Sequence, residues 1–409
     1  MQEVNTIHEN KLDKLRESLS KTSIAFNKNL LVELGDFLEN SDLPTTKQES
    51  WKYTRLTKLS NTTFSGFNEK STLLAVHEKA YKIVFENGKL RSKEAFEGLN
   101  TLTELSSTQL SEIHASHEVF DALNLCYAED GVFIEISKTL DRPIEILHLS
   151  NGNKINNLRH FIRLKSNTEA NITMIFCSEK ESKNFSNCVT EFHVEQGAHL
   201  SVTKIQIESG QDIHLSKEKV IQHRDSNFTL NTVTLDGLFV RNEVEVAVEG
   251  VYAETNLNGV YVANQQQFVD NHTTIDHKVA HCLSNELYKG VLFDKATGVF
   301  NGKVFVRKDA QKINAFQSNA NIIMSQDASV NAKPELEIYA DDVKCSHGST
   351  TGQLDEEAVF YLRSRGLSDK AARNLLVSAF VGQVLEKIEN TEILDFVYGK
   401  LNERFGWEY

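Results

Sequence analysis

The fragments EANITMI (169–175), GAHLSVT (197–203) and DSNFTLNT (225–232) are variations on one pattern. They set Ala170, Ala198 and Ser226 at a spacing of 28, each followed by apolar residues two and four positions on. YAETNL (252–257) repeats the pattern imperfectly at Ala253, 27 further along, with Thr255 and then Leu257. Small turn residues followed by short strands at a fixed period are what a solenoid of stacked β-coils requires, because each coil buries its inner face only against its neighbours. The period-two alternation argues against helical repeats and leaves a β-sandwich as the competitor. The repeat is longer than one hairpin and persists through at least three units, which favours the β-helix.

Working outward, alternation runs from about Gly131 to Ala340. Val132, Ile134 and Ile136 begin it, and Val244, Val246 and Val248 face away from Glu243, Glu245 and Glu249. Pro143 and Pro334 stand before alternating stretches and read as strand-entry residues. Before the strands, Leu12, Leu15, Leu19, Leu30, Leu31, Leu34 and Leu38 recur at helical spacing over residues 1 to about 40. After them, Asp355 caps a helix that Gly366 closes, and Ser368 caps another with Val377, Val381, Val384 and Ile388 as its stripe. The expected fold is mainly β: a mainly helical segment 1–125, a parallel β-helix 126–345 and a helical segment 346–409.

With 409 residues and a formal net charge of -13, the chain is a poor nucleic-acid partner, since phosphate contacts need clustered Lys and Arg. Five widely spaced cysteines without a C-x-x-C pair suit a reducing compartment. With no apolar h-region at the N-terminus and no stretch approaching a membrane span, the expectation is a cytoplasmic protein without membrane contact. No P-loop, GxGxxG or GxSxG motif occurs, so nucleotide hydrolysis and serine chemistry are not expected of this chain.

The densest C-terminal cluster of ligand atoms lies in ELEIYADDVKCSHGSTTGQLDEEAVFYLRSRG (335–366), read as strand, loop and helix. Cys345 and His347, two apart on extended chain, project to the same side and could grip iron or zinc. Two ligands do not close a site, and the bland alternative is a small buried hydrophobe beside a hydrogen-bonded loop histidine. A second cluster, DNHTTIDHKVAHCLSNELYKG (270–290), offers His272, Asp276, His277, His281 and Cys282. Among strands, residues four apart lie roughly 13 Å apart, so structural hydrogen bonds are the favoured role there. His114 and His117 have helix-face spacing but match no metal signature. A carbohydrate-active β-helix enzyme would need paired carboxylates, and Asp270, Asp276 and Asp294 form no convincing acid and base pair.

The run YADDVKCSHGSTTGQLDEEAVFYLRSRG resembles the C-terminal signature of the SufB/SufD family, the paralogous core subunits of the Suf iron-sulfur cluster assembly machine. The WKYT element (51–54), the DNH and YKG segments near 270 and 288, and the CSHG form extend the likeness and favour the SufD branch over a SufB-like scaffold. The departures are Ser349 where alanine is usual and Thr351 where an apolar residue is common. The resemblance implies a right-handed parallel β-helix flanked by helices, and a non-enzymatic subunit. It matches the functional histidine to His347 and the neighbouring cysteine to Cys345, as ligands of iron or a nascent cluster at a subunit interface. It implies pairing with a SufB-like subunit through the β-helices, and a reduced flavin serving the whole complex. It also implies docking of a SufC-like ABC ATPase on residues 355–390, for which Asp355, Phe360, Arg363, Arg365, Leu376 and Phe380 are the candidates. A purely architectural role, with the motif serving the interface alone, is the second reading.

Overall fold

The computed structural model of the chain describes residues 11–66, 76–77 and 79–407. The first ten positions of the expected N-terminal helix lie outside the described residues. From there α1 (Lys11–Glu17), α2 (Lys28–Glu39) and the single turn α3 (Thr57–Ser60) lead into β1 (Tyr81–Glu86), β2 (Lys89–Lys93) and β3 (Leu99–Thr101). The turn α4 (Ser107–Leu110) and α5 (Val119–Tyr127) follow. The coils are β4 (Val132–Ile136), β5 (Ile144–Ser150), β6 (Ile155–Leu164), β7 (Glu169–Ser178), β8 (Phe185–Val194), β9 (His199–Ile207), β10 (Ile213–Gln222) and β11 (Asn227–Thr234). They continue as β12 (Phe239–Val248), β13 (Glu254–Ala263), β14 (Phe268–His277), β15 (Leu283–Leu292), β16 (Thr297–Val306), β17 (Asn314–Ile323), β18 (Ser329–Ile338) and β19 (Lys344–Gly352). The helices α6 (Glu356–Ser364), α7 (Asp369–Leu385) and α8 (Thr391–Phe405) close the chain.

Each coil contributes one strand to each of two sheets. From β4 onward odd strands pair in parallel with odd and even with even, giving a parallel β-solenoid of about 8 turns. The rungs of the odd sheet run from Glu169 through His199, Asn227, Glu254, Leu283 and Asn314 to Lys344, and are 30, 28, 27, 29, 31 and 30 residues apart. The register corrects the first unit of the repeat. Ala170 pairs with Leu200, so the equivalent of Ala198 is Thr168, not Ala170. The physical constant of each coil is its corner. Asn167, Gly197, Asp225, Tyr252, His281 and Lys312 all have positive φ, and in five of the six coils a small buried residue follows: Thr168, Ala198, Ser226, Ala253 or Cys282. A left-handed residue turns the chain sharply, and the small side chain after it lets the next rung close in.

Strand alternation divides inner from outer faces. Ile146, Met174, Phe192, Val202, Leu230, Val246, Leu257 and Ile275 fill the interior. The two outer faces are capped by opposite ends of the chain. Phe133, Phe161, Phe185, Phe239 and Phe268 on even strands pack under the N-terminal helices, while Leu147, Ile175, Ile205, Val233, Val260 and Val291 on odd strands pack under α7 and α8.

The segment expected to be mainly helical holds α1 to α4 and most of α5 and also supplies β1, β2 and β3, with β1 extending the odd sheet beyond β5. The solenoid does not end at 345, because β19 carries it to Gly352. KCSHGSTTG lacks apolar alternation, since an uncovered terminal rung has little core to bury. Pro334 lies inside β18 instead of before it. That strand is the edge of the even sheet, where a missing N–H is tolerated. Among the described residues no helix is long and apolar enough to cross a membrane.

Candidate functional site

Cys345 and His347 sit on β19, the last rung of the odd sheet, paired in register with Ala315 and Gln317 of β17. Both face the interior side of the coil, about 6.6 Å apart along the strand. Cys345 is half-buried against the interior cluster, and that burial pushes its thiol up. His347 is exposed at the open end of the solenoid, and a cavity of about 840 Å³ lined by Phe316, Ser346 and Lys387 lies on the outer face of the same sheet.

Among the described residues no third ligand converges on this pair. Among the described residues, the one group of three His, Cys, Asp or Glu side chains with converging ligand atoms is Glu118, Glu243 and Glu245. Lys217 already occupies its centre, with Nζ 2.7, 3.1 and 2.8 Å from those carboxylates. The remaining cysteines suit packing better than metal binding. Burial pushes Cys126 up to about 11 and Cys177 and Cys188 up to about 12.

The 270–290 cluster disperses. His277 points inward and bonds Ser284 Oγ at 2.9 Å, whereas His272 faces outward beside Asp270 at 3.0 Å. His281 is a left-handed corner stacked on Tyr252, and Cys282 is the small buried residue that follows. Asp276 pairs with Arg307 at 2.8 Å. His114 and His117 lie between α4 and α5 rather than on a shared helix face, and His117 meets Glu33 at 3.0 Å.

The WKYT element is structural. Trp51 lies against Arg241 of β12, and Thr54 donates to Asp270 of β14. It thereby fastens the N-terminal segment to two consecutive even rungs.

At the C-terminus, Asp355 caps α6 by accepting from the amides of Glu357 and Ala358. Phe360, Arg363 and Arg365 are exposed, Phe360 at 72%. Leu376 and Phe380 instead lean on the solenoid, and Lys289 Nζ stands 4.2 Å from the Phe380 ring while donating to its carbonyl at 3.1 Å. The α7 stripe therefore covers its own sheet, while Phe360 and Tyr361 of α6 and Leu375 of α7 are exposed apolar side chains.

Polar residues at interior-facing positions escaped sequence reasoning. Lys204 and Glu218 form a buried pair at 2.6 Å, and Gln317 reaches Glu286 at 2.9 Å. They occupy positions of the alternation where apolar residues are expected, and a charged residue facing inward carries no local signal of its own.

The chain is thus a helix-capped parallel β-solenoid with a thiol and an imidazole on its uncovered last rung. The model for "SUF system FeS cluster assembly, SufBD core domain" matches residues 147–380, more than half of the chain. The chain is 28% identical over 382 residues to the iron-sulfur cluster assembly protein SufD of Escherichia coli, covering 90% of each. It is 29% identical over 422 residues to an iron-sulfur cluster assembly SufBD family protein of Synechocystis, covering 93% of each. It is 32% identical over 274 residues to protein ABCI7, chloroplastic, of Arabidopsis thaliana, covering 66% of this chain and 56% of that one. The chain belongs to the SufB/SufD family, and its role lies in iron-sulfur cluster assembly.

Proposed function

We propose that this chain is a non-catalytic, cytoplasmic core subunit of a Suf-type assembly complex, holding incoming iron or a nascent cluster at an interface with a SufB-like partner. One observation carries the reading. Both sheets end on uncovered strands at the same end of the solenoid, β18 and β19, and the Cys345 and His347 pair sits there short of ligands. Open strand edges invite pairing with another chain, and a second β-helix joined there would supply the missing ligands. Iron is cargo in this reading. Imidazole offers a neutral ligand and thiolate a charged one, a set suited to labile iron.

The exposed face of α6, with Phe360, Arg363 and Arg365, is the docking surface for a SufC-like ABC ATPase. Nucleotide-driven closure of that partner would shift the population of interface states without chemistry in this chain. A reduced flavin, in this reading, serves the complex as a whole.

The test is anaerobic co-expression with SufB-like and SufC-like partners, comparing wild type with His347→Ala for assembly and for bound iron and sulfide. An intact complex that loses iron supports the reading. An intact complex with undiminished iron leaves the subunit as architecture and overturns it.

A further inference from the structure

Behind His347 lies a column of side chains that the family likeness does not assign. Registers β15 to β17 and β17 to β19 put Glu286, Gln317 and His347 on three consecutive rungs of the same, inner face. Gln317 Nε2 donates to Glu286 Oε2 at 2.9 Å, and Thr273 Oγ1 donates to the same oxygen at 2.9 Å. The hydrogen bond to Glu286 sets which way the amide points. A Cβ on Gly302 would stand 2.2 Å from Gln317 Nε2 and 2.9 Å from its Cδ, so the side chain lies directly on that glycine. With its nitrogen committed to Glu286, Gln317 presents Oε1, which is buried and has no partner among the described residues. An unpaired buried acceptor is a standing desolvation penalty that a donor on the next rung would relieve.

We propose that Gln317, locked by Glu286, is the positioning residue for His347. It accepts the N–H of one ring nitrogen, so that the other nitrogen faces the open edge with the Cys345 sulfur. A metal-binding imidazole needs such an acceptor, which fixes its tautomer and orientation and raises its basicity. The inference rests on His347 being a metal ligand, as proposed above.

The test uses the full chain, labelled and assembled with its SufB-like partner, under anaerobic conditions with Co²⁺ as the probe. Cobalt affinity is followed by absorption, and the His347 ring by NMR of ¹³C-labelled histidine, assigned with His347→Ala. Gln317→Met keeps the length of the side chain and removes the acceptor, and it should weaken Co²⁺ binding about 10- to 100-fold and release the ring from a single tautomer. Gln317→Glu keeps an acceptor oxygen, and it should restore binding and raise the pKa of the His347 ring above that of wild type. If Gln317→Met binds and titrates like wild type while His347→Ala loses the metal, this inference fails and the iron site stands. If His347→Ala binds like wild type, both fail. Should Gln317→Met not fold, an unshifted His347 ring in Gln317→Glu overturns the proposal by itself.

Discussion

The guanidinium of Arg241 lies 4.0 Å from the centroid of the Trp51 indole. Arg241 is buried in β12, and it also meets Asp270 of β14, Glu243 at 3.2 Å and the carbonyl of Ser50 at 3.0 Å. This contact joins the N-terminal cap to the solenoid. Trp51→Ala should therefore cost about 3 to 5 kcal/mol, as large-to-small changes at buried aromatic sites do. Tyr53→Ala, at an exposed ring two residues on, should stay within about 0.5 kcal/mol. Urea unfolding of both variants checks this, and equal losses would remove the clamp.

Asp270 carries the charge side of the same clamp. Burial alone would raise its pKa, but His272, Arg241 and the Thr54 hydroxyl override burial and hold it at about 2. A folded-state value below the unfolded one, about 3.9, gives stability that is present above pH 4 and lost as pH falls through 2. Asp270→Asn should destabilise the protein by about 3 kcal/mol at pH 7, because the buried Arg241 loses one of its two carboxylates. The deficit should narrow on acidification towards pH 2, measured by denaturation at each pH.

Glu286 has the opposite sign. Burial pushes it up to about 7 against hydrogen bonds from Gln317 and Thr273. The neutral form is favoured in the folded state, so its contribution is full below the unfolded value near 4.3 and is lost as pH rises through 7. Glu286→Gln, which keeps the accepting oxygen, should gain on wild type across pH 4 to 7, by at most roughly 1.4 kcal/mol per pH unit, and hold a constant lead above. A stability difference that does not change with pH would show that Glu286 titrates normally.

Two tyrosines lock neighbouring rungs through glycines. Gly259 pairs with Tyr288, and Tyr261 pairs with Gly290. A Cβ at Gly259 would meet the Tyr288 ring at 2.2 Å, and one at Gly290 would meet Tyr261 Cζ at 2.2 Å. Gly290→Ala should cost about 1 to 3 kcal/mol by overpacking and disturb the 2.7 Å bond from Tyr261 to Asn321. A thermal melt unchanged from wild type would contradict it.

On α6, Phe360→Asp should leave stability within about 0.5 kcal/mol, since the ring is exposed, while abolishing co-purification of the proposed ATPase partner. Phe380→Ala should behave in reverse, losing stability because Lys289 and the odd sheet pack on that ring. ATPase binding that survives Phe360→Asp would move the docking surface elsewhere.

The solenoid was legible because its signals are local. A strand buries every second residue and a corner wants a small or left-handed residue, so the pattern survives even where coil length drifts between 27 and 31 residues. The drift defeated the alignment of Ala170 with Ala198, since a period read from letters does not register a longer corner. The CSHG pair was visible as chemistry, but its strand was not, because an uncovered rung has no apolar alternation to betray it.

Sequence alone thus determined the coil architecture, the helical flanks and the two residue types at the candidate site, all of them consequences of short-range periodicity and side-chain chemistry. Only the tertiary structure decided which groups meet. It turned the 270–290 histidines into corner and hydrogen-bonding residues, laid the α7 stripe on its own sheet, and set Gln317 and Glu286 behind His347. The last two outcomes depend on contacts between residues about 90 and about 30 positions apart, and a local pattern carries no record of which rung a side chain will face.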